Sequence, residues 1–267
     1  MPKKYLNLAA YQFTDFDALP ELRRQLLDAG KKADMRGTIL LAPEGINLML
    51  SGPVEAARGF VDVLRSIPQL ADMHVKESLS DEQSFNRYLV KIKRETITFR
   101  QPQIRPADGR AATVAPGTLA RWLDEGHDDD GREIAIVDTR NEFEVQVGRF
   151  RGAIDPHIGK FTELPAALEA HRPALAGKRI VTYCTGGIRC EKAALWMADN
   201  GYENVVQLDG GILDYFEQTG GKHWDGELFV FDRRVSLTTD LQPGSWEQDF
   251  GTREVRPAGS SPTGTGA

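Results

Sequence analysis

Two cysteines and an arginine in one short loop are the strongest chemical signal in the sequence. The chain of 267 residues has only two cysteines, and both lie in "RIVTYCTGGIRCEKAALWM", residues 179–197. Cys184 ends an apolar run that predicts a strand, and Cys190 begins a segment that predicts a helix. Reactive groups gather where the strands of an open α/β sheet end. The spacing therefore predicts a reactive cysteine at a strand-to-helix turn.

The loop that follows Cys184 is suited to stabilising a thiolate. Its residues are Thr185, Gly186, Gly187, Ile188 and Arg189. Glycines tolerate unusual backbone angles, so the loop can curl and direct its N–H groups at the sulfur. The helix N-terminus and the arginine charge add positive potential. We therefore expect the pKa of Cys184 to lie below its usual value of about 8.5, which leaves an accessible thiolate that acts as a nucleophile or sulfur carrier.

Cys190 has two interpretations. It shares a helical face with Ala193, Ala194 and Met197, which predicts a small residue of the core. It is also placed to act as a resolving thiol for Cys184. We expect no zinc site, because two cysteines at this spacing lack a second pair of ligands.

The length of the loop bears on the chemistry. In cysteine-dependent phosphatases, more residues separate the cysteine from the arginine than separate Cys184 from Arg189 in this chain. A tighter cradle suits a terminal sulfur atom better than a phosphoryl group. The loop taken alone favours a Cys184 persulfide.

Three other polar residues are candidates for a supporting role. Asp138 and Arg140 follow the strand-like run "IAIVD" and could orient Arg189 or contact a substrate, although Asp138 could instead cap a turn. Glu44, in "APEGIN", is either a turn former or a site residue that faces the other domain. The histidines at 74, 127, 157, 171 and 223 are scattered, so they indicate no metal site.

The first half of the chain predicts a ferredoxin-like α+β sandwich. Strands are predicted in "KYLNLAAYQF", "GTILLAPEGINLMLSG", "MHVKES" and "YLVKIKRETITF", and helices in "DALPELRRQLLDAGKKA" and "PVEAARGFVDVLRSI". The βαββαβ order is typical of two helices on an antiparallel sheet.

The second half predicts a parallel α/β domain. Apolar strands in "EIAIVDTR", "RIVTYC" and "NVVQLDGG" alternate with helices in "TLARWLDEG", "FTELPAALEAHRPAL", "EKAALWMADNG" and "ILDYFEQTG", a pattern that implies a sheet covered on both faces. A proline-containing stretch, 100–118, separates the halves. We predict domains over 1–105 and 113–228, a linker over 106–112, and a C-terminal extension over 229–267 that is partly disordered from about residue 243.

Charge and hydropathy narrow the classes of partner. The net charge is −6, which argues against indiscriminate nucleic-acid binding. Residues 1–105 nevertheless hold 16 Lys/Arg against 13 Asp/Glu. Their last strand is predicted to bury Tyr88, Val90 and Ile92. The opposite face carries Arg87, Lys91 and Lys93, which form either an ordinary solvated face or a phosphate-contacting surface.

The distribution of apolar residues predicts neither a membrane span nor an export signal. No apolar run approaches the roughly 20 residues that span a bilayer. The apolar stretch of the first residues is broken by Asn7 and Gln12, so we expect no secretory signal. With only two cysteines, this predicts a protein of the reducing cytoplasm.

Several motifs resemble known families. The Cys184 loop, "VDTRNEFEVQVGRFRGAIDP" and "LDGGI" resemble rhodanese domains over about residues 113–225. "CTGGIRCEKA", "DTRNEFE", "GTILLAPEGIN" and "FVFDRRV" together resemble the bacterial tRNA uridine hydroxylases over about residues 5–236. That family converts the wobble uridine of tRNA to 5-hydroxyuridine with molecular oxygen.

The resemblance implies an O2-dependent hydroxylase that acts on the tRNA anticodon loop, with Cys184 as the reactive cysteine. Arg189, Cys190, Gly186 and Gly187 match the rest of its motif. No cofactor or protein partner is indicated, and the electron donor stays open. A hypothetical step is addition of the Cys184 thiolate to C6 of uridine. Tyr11, Phe13 and Phe85 are candidates for base stacking, although each also fits a core position.

Two other functions compete with hydroxylation. A sulfurtransferase would carry sulfur as a Cys184 persulfide, which the rhodanese-like loop supports directly. It leaves the first domain and the second cysteine without a role. A non-catalytic binding module is the weakest alternative, because inactive rhodanese folds generally lack the cysteine that this chain keeps.

Overall fold

Two helix-covered sheets organise the part of the chain that the computed structural model describes, residues 4–249 and 254–260. The strands are β1 Tyr5–Phe13, β2 Arg36–Ala42, β3 Gly45–Pro53, β4 Val75–Ser80, β5 Tyr88–Ile92, β6 Thr113–Val114, β7 Ile134–Asp138, β8 Gly148–Phe150, β9 Arg179–Tyr183, β10 Val205–Leu208, β11 Trp224–Gly226, β12 Leu228–Phe229, β13 Ser236–Leu237, β14 Trp246–Gln248 and β15 Val255–Pro257. The helices are α1 Leu19–Lys32, α2 Val54–Arg65, α3 Pro116–Glu125, α4 Glu142–Val145, α5 Leu164–Glu169, α6 Arg172–Leu175, α7 Ile188–Asp199 and α8 Gly211–Thr219. Short 3-10 turns lie at Pro68–Leu70, Pro106–Asp108 and Phe161–Glu163.

The first sheet has the strand order β4-β1-β3-β2-β5. Strands β1 to β4 pair antiparallel, and β5 joins parallel to β2. The apolar stripes of α1 and α2, among them Leu26, Phe60 and Leu64, pack with strand residues in one buried core. The predicted ferredoxin-like sandwich is confirmed, with β5 as an additional edge strand.

Strand β5 differs from its prediction in length and burial. It ends at Ile92 rather than running on through "KRETITF". Tyr88 and Val90 belong to or pack on the first core, but Ile92 is 42% exposed. An edge strand has a neighbouring strand on one side only, so its side chains are less covered than those of a central strand. The alternation of apolar and polar residues along β5 therefore predicts the face of each side chain but not its burial.

The second sheet is entirely parallel, with the order β6-β10-β9-β7. Helices α3 and α8 pack on one face through Leu119 and Ile212, and α5 and α7 pack on the other through Leu168 and Met197. The prediction of a parallel sheet covered on both faces is confirmed. The single helix predicted over 161–175 is instead a 3-10 turn followed by α5 and α6, because its prolines lie at helix starts.

The segment after β5 belongs to the second core. Ile97, Phe99 and Ile104 pack there, and the ring of Phe99 stacks on that of Phe161 with centroids 4.5 Å apart. The change from one core to the other therefore lies near residue 97, ahead of the predicted boundary at residue 105.

The C-terminal extension is more ordered than predicted. Val230 and Leu237 are buried in the second core, and β14 and β15 form an antiparallel pair. The prediction of disorder from about residue 243 is wrong for 246–249 and 254–260, and for 250–253 and 261–267 it falls outside the described residues.

Buried charges join the two domains. Lys192 on α7 is 1% exposed, and its Nζ donates to both Glu44 carboxylate oxygens at 2.8 and 2.9 Å. Glu95 lies 3.4 Å from the same Nζ. The backbone N–H of Thr96 also donates to Glu44. Glu44 thus faces the second domain from the turn between β2 and β3, where its carboxylate joins the two domains.

We expect Lys192→Met to destabilise the protein by about 3 kcal/mol, because it leaves two carboxylates at the domain boundary without their cation. Urea denaturation measures the loss. Lys222→Met is the matched control, because the Lys222–Asp124 pair is exposed (57% and 46%) and such pairs add little stability. Equal effects of the two substitutions would contradict the role given to Lys192.

Candidate active site

Cys184 follows β9 and lies in the wall of a cavity of about 400 Å³ that both domains line. Tyr11, Leu48 and Met49 contribute from the first domain, and Thr185 and Ile188 from the second. The cysteine itself is 1% exposed, so the thiol predicted to be accessible is instead buried in the cavity wall. Cys184 is buried because the first domain covers this side of the loop, and the loop motif alone does not reveal that contact.

Backbone geometry at the loop directs N–H groups toward the sulfur. Gly187 takes a φ of +109°, a conformation that side chains rarely allow, and its N–H donates to Cys184 Sγ at 3.2 Å. Helix α7 begins at the next residue. A Cβ at Gly211 would lie 2.6 Å from the Cys184 carbonyl oxygen, so the glycine of "LDGGI" lets the last helix approach the loop.

Cys184 and Cys190 have opposite pKa shifts. Burial raises the pKa of Cys184, but the Cys190 thiol, the Arg189 charge and backbone N–H groups outweigh burial and hold that pKa well below its usual range. Burial and the neighbouring sulfur raise the pKa of Cys190 well above its usual range. The pair therefore consists of a Cys184 thiolate beside a Cys190 thiol.

Both interpretations of Cys190 find support in its position. The residue is fully buried, with Ala193 and Met197 in the same core. Its Sγ also lies 3.9 Å from Cys184 Sγ and donates to the Gly187 carbonyl at 2.9 Å. A disulfide needs the two sulfurs at about 2.0 Å, so they are in contact and unbonded.

Arg189 is held by a carboxylate that the sequence analysis missed. Its guanidinium donates to both oxygens of Glu144 at 2.5 and 2.7 Å, and both side chains are buried. The Asn141 N–H donates to Glu144 at 3.1 Å. The spacing in "NEFE" fits a helix-capping box, but that signal does not predict a buried ion pair. Glu144 offsets part of the arginine charge felt by Cys184.

Asp138 and Arg140 form a buried ion pair away from the cavity. Their side chains are fully buried and paired at 2.6 Å, and Tyr183 donates its hydroxyl to Asp138 at 2.6 Å. Asp138 accepts the N–H of Arg140 at 3.0 Å, which caps the turn. Neither residue lines the cavity, and Glu144 rather than this pair orients Arg189.

The three aromatic candidates are half-buried rather than core residues. Tyr11 lines the cavity, packs against Gly187 and donates its hydroxyl to Glu191 at 2.8 Å. Phe13 lies at a polar cleft on the other side of Tyr11. Phe85 lies beside a cavity adjoining that of Cys184. The expectation that they belong to the core is wrong, because they lie where the two domains meet.

The predicted basic surface and the basic residues of the cavity are different sets. Arg87, Lys91 and Lys93 are exposed on and beside the edge strand β5 but do not line the Cys184 cavity. Arg100 and Lys160 do line it, and both are exposed. Sequence reasoning missed these two, because they come from distant loops that only the domain arrangement brings together.

We expect the rate of Cys184 alkylation by iodoacetamide to be independent of pH around neutrality. A lowered pKa keeps the thiolate present above that pKa, and the rate falls only as the pH drops through it. Cys190 stays unmodified because it is buried and protonated. Mass spectrometry across a pH series measures both sites.

Cys190→Ala provides the control for alkylation. It removes the thiol that stabilises the Cys184 thiolate, so the profile shifts to higher pH. A wild-type rate that keeps rising to about pH 8.5, as for an ordinary cysteine, would contradict the assignment.

Within the described residues, no group of three or more His, Cys, Asp and Glu is arranged to hold a metal ion. In residues 4–249 and 254–260, each helix is too short or too polar to cross a membrane.

Comparison with known proteins identifies relatives of both domains. Residues 5–96 match the family described as "UPF0176 acylphosphatase like domain", and residues 118–218 match "Rhodanese-like domain". A protein of Ralstonia nicotianae named tRNA uridine(34) hydroxylase is 53% identical over 94% of this chain and 89% of its own length. A protein of the same name from Variovorax paradoxus is 56% identical over 90% of this chain and 91% of its own. The solved rhodanese-like domain of an Anabaena protein is 19% identical, with a TM-score of 0.35 over 43% of this chain and 78% of that one.

Proposed function

We propose that this chain, which belongs to the family of the tRNA uridine(34) hydroxylases, converts uridine 34 of tRNA to 5-hydroxyuridine in the Cys184 cavity. The observation that carries the proposal is a cysteine of lowered pKa in the wall of a cavity that two domains close together. The proposal includes a cytoplasmic location, because its substrate is tRNA.

The cavity suits a single nucleoside. Small-molecule sites occupy about 300–1,000 Å³, and the Cys184 cavity measures about 400 Å³. Enzymes that act on a base take it out of its stack into such a site. Leu48 and Met49 offer apolar surface to the base, while Arg100 and Lys160 are placed to contact the flanking phosphates.

Cys184 acts as a nucleophile in the proposed mechanism. Its thiolate adds to C6 of the uracil ring, and the C5=C6 electron pair moves to form an enolate through C4 and its oxygen. C5, now nucleophilic, takes up an oxygen atom derived from O2. Loss of the C5 proton and departure of the thiolate from C6 restore the double bond and release 5-hydroxyuridine.

The net reaction requires a reductant. One atom of O2 enters the base and the other leaves as water, which consumes two electrons and two protons. A two-electron donor must therefore act with the protein. In this mechanism the residues of the chain supply the thiolate and the enclosed site.

A sulfurtransferase is the second candidate, because the N–H of Gly187 lies 3.2 Å from Cys184 Sγ and the loop encloses the sulfur. In that reaction the thiolate attacks the outer sulfur of thiosulfate, and sulfite leaves. The resulting persulfide passes its sulfur to an acceptor.

Nucleoside mass spectrometry decides between the two functions. A bacterium lacking its own wobble-uridine hydroxylation carries this chain or an empty vector and grows under ¹⁸O2. We expect 5-hydroxyuridine that contains ¹⁸O only when the chain is present. No 5-hydroxyuridine, together with a stable persulfide on the purified protein after thiosulfate, would overturn hydroxylation in favour of sulfur transfer.

A further inference from the structure

Phe231 is a large aromatic side chain that the fold leaves exposed beside the Cys184 cavity. It is 44% exposed, and the other large hydrophobic residues with comparable exposure in the described ranges are aliphatic. The same side chain lines both the Cys184 cavity and an adjoining cavity of about 710 Å³. Phe231 therefore stands at the boundary between the proposed uridine site and a second space.

The ring of Phe231 is supported from behind by other aromatic rings. Its centroid lies 5.0 Å from that of Phe229 at an interplanar angle of 87°, and 6.2 Å from that of Phe143 at 88°. Phe229 is only 2% exposed, so the supporting contact is fixed in the core. Phe85 lines the adjoining cavity as well. The adjoining cavity thus has an aromatic wall that is held in place by the buried side chain of Phe229.

A positively charged side chain, that of Arg233, lies in the same wall. Arg233 is exposed and lines the adjoining cavity, where its guanidinium donates to the Asn86 side-chain oxygen at 3.3 Å. Its neighbour Asp232 is already paired with Arg234. Across residues 4–249 and 254–260, Arg233 has no carboxylate within ion-pair distance. Its charge is therefore available to a phosphate.

We propose that the adjoining cavity binds the nucleotide next to uridine 34, with its base stacked on Phe231 and its phosphate near Arg233. This inference rests on the proposed hydroxylation. Unstacked loop bases are commonly held on aromatic side chains, and the shared wall of the two cavities is where consecutive nucleotides of one strand would pass. The subsite would hold the anticodon loop open while the uridine occupies the Cys184 cavity.

The experiment uses anticodon stem-loop RNAs that carry the fluorescent base 2-aminopurine on one side or the other of uridine 34. Titration with wild-type protein should quench one of the two RNAs, because stacking quenches this base. Phe231→Trp should keep the quenching. Phe231→Leu should lose it and weaken binding about tenfold. Leu79→Ala, at another exposed apolar residue (43%), should leave both quantities unchanged.

Production of 5-hydroxyuridine in cells by the same variants separates the two claims. A wild-type protein that forms the product but quenches neither RNA overturns the subsite alone. Equal quenching and affinity for wild type and Phe231→Leu also overturn it. Cells with wild-type protein that lack the product overturn the proposed function and the subsite with it.

Discussion

Cys184→Ser should reduce the 5-hydroxyuridine content of tRNA at least about 1,000-fold, to the level of cells without the protein. A serine hydroxyl stays protonated at neutral pH and is a poor nucleophile toward C6. The substitution is nearly isosteric at a site that is 1% exposed, so the fold should be retained. Nucleoside mass spectrometry of bulk tRNA measures the product.

Two controls make the Cys184→Ser result interpretable. Its urea denaturation midpoint should match that of wild type, which separates lost chemistry from lost folding. Cys190→Ala, at the other cysteine of the same loop, should still yield product, because Arg189 and backbone N–H groups continue to lower the pKa of Cys184. Product from Cys184→Ser at the wild-type level would rule out a nucleophilic role.

Breaking the Arg189–Glu144 pair should give the second large effect. Arg189→Met leaves the Glu144 carboxylate buried without its opposite charge, and Glu144→Gln leaves the Arg189 guanidinium without the carboxylate charge that faces it. Each should cost about 3–5 kcal/mol of stability. Their effects on the pKa of Cys184 should be opposite, because the first removes a positive neighbour and the second removes the charge that offsets it.

The double variant completes this cycle. Arg189→Met with Glu144→Gln removes both charges, so its loss of stability should be smaller than the sum of the two single losses. Urea denaturation and the pH profile of Cys184 alkylation provide the two readouts. Additive stability losses, or pKa shifts of the same sign in both single variants, would contradict the pair as described.

Local patterns predicted the elements well because period and turn residues act over a few positions. The run before Cys184 became β9, Gly187 took a positive φ that glycine readily allows, and the helical face of Cys190 is buried. Helix ends were less predictable. Prolines divided the predicted 161–175 helix, since each can start a helix as well as end one.

Contacts between distant segments account for what the sequence did not reveal. Glu144 looked like a helix cap, and only the fold brings it to Arg189. Lys192 lies on the helix that follows Cys190, and only the fold shows that the first domain buries it against Glu44. Phe231 lies in a segment read as an extension, although it borders the cavity. Contacts of this kind depend on how distant segments of the chain fold together, which a single sequence does not express.

Covalent capture tests the central claim, that Cys184 bonds to C6 of uridine 34, most directly. An anticodon stem-loop with 5-fluorouridine at that position is incubated with the protein. The fluorine favours addition of the thiolate at C6. O2 is excluded, so that the reaction stops at the adduct. Protonation at C5 leaves a dihydro adduct that survives denaturation. We expect intact mass spectrometry to show one RNA per protein, attached at Cys184 and absent from Cys184→Ser. A protein that makes 5-hydroxyuridine in cells but forms no such adduct, or forms it at another residue, would contradict the account.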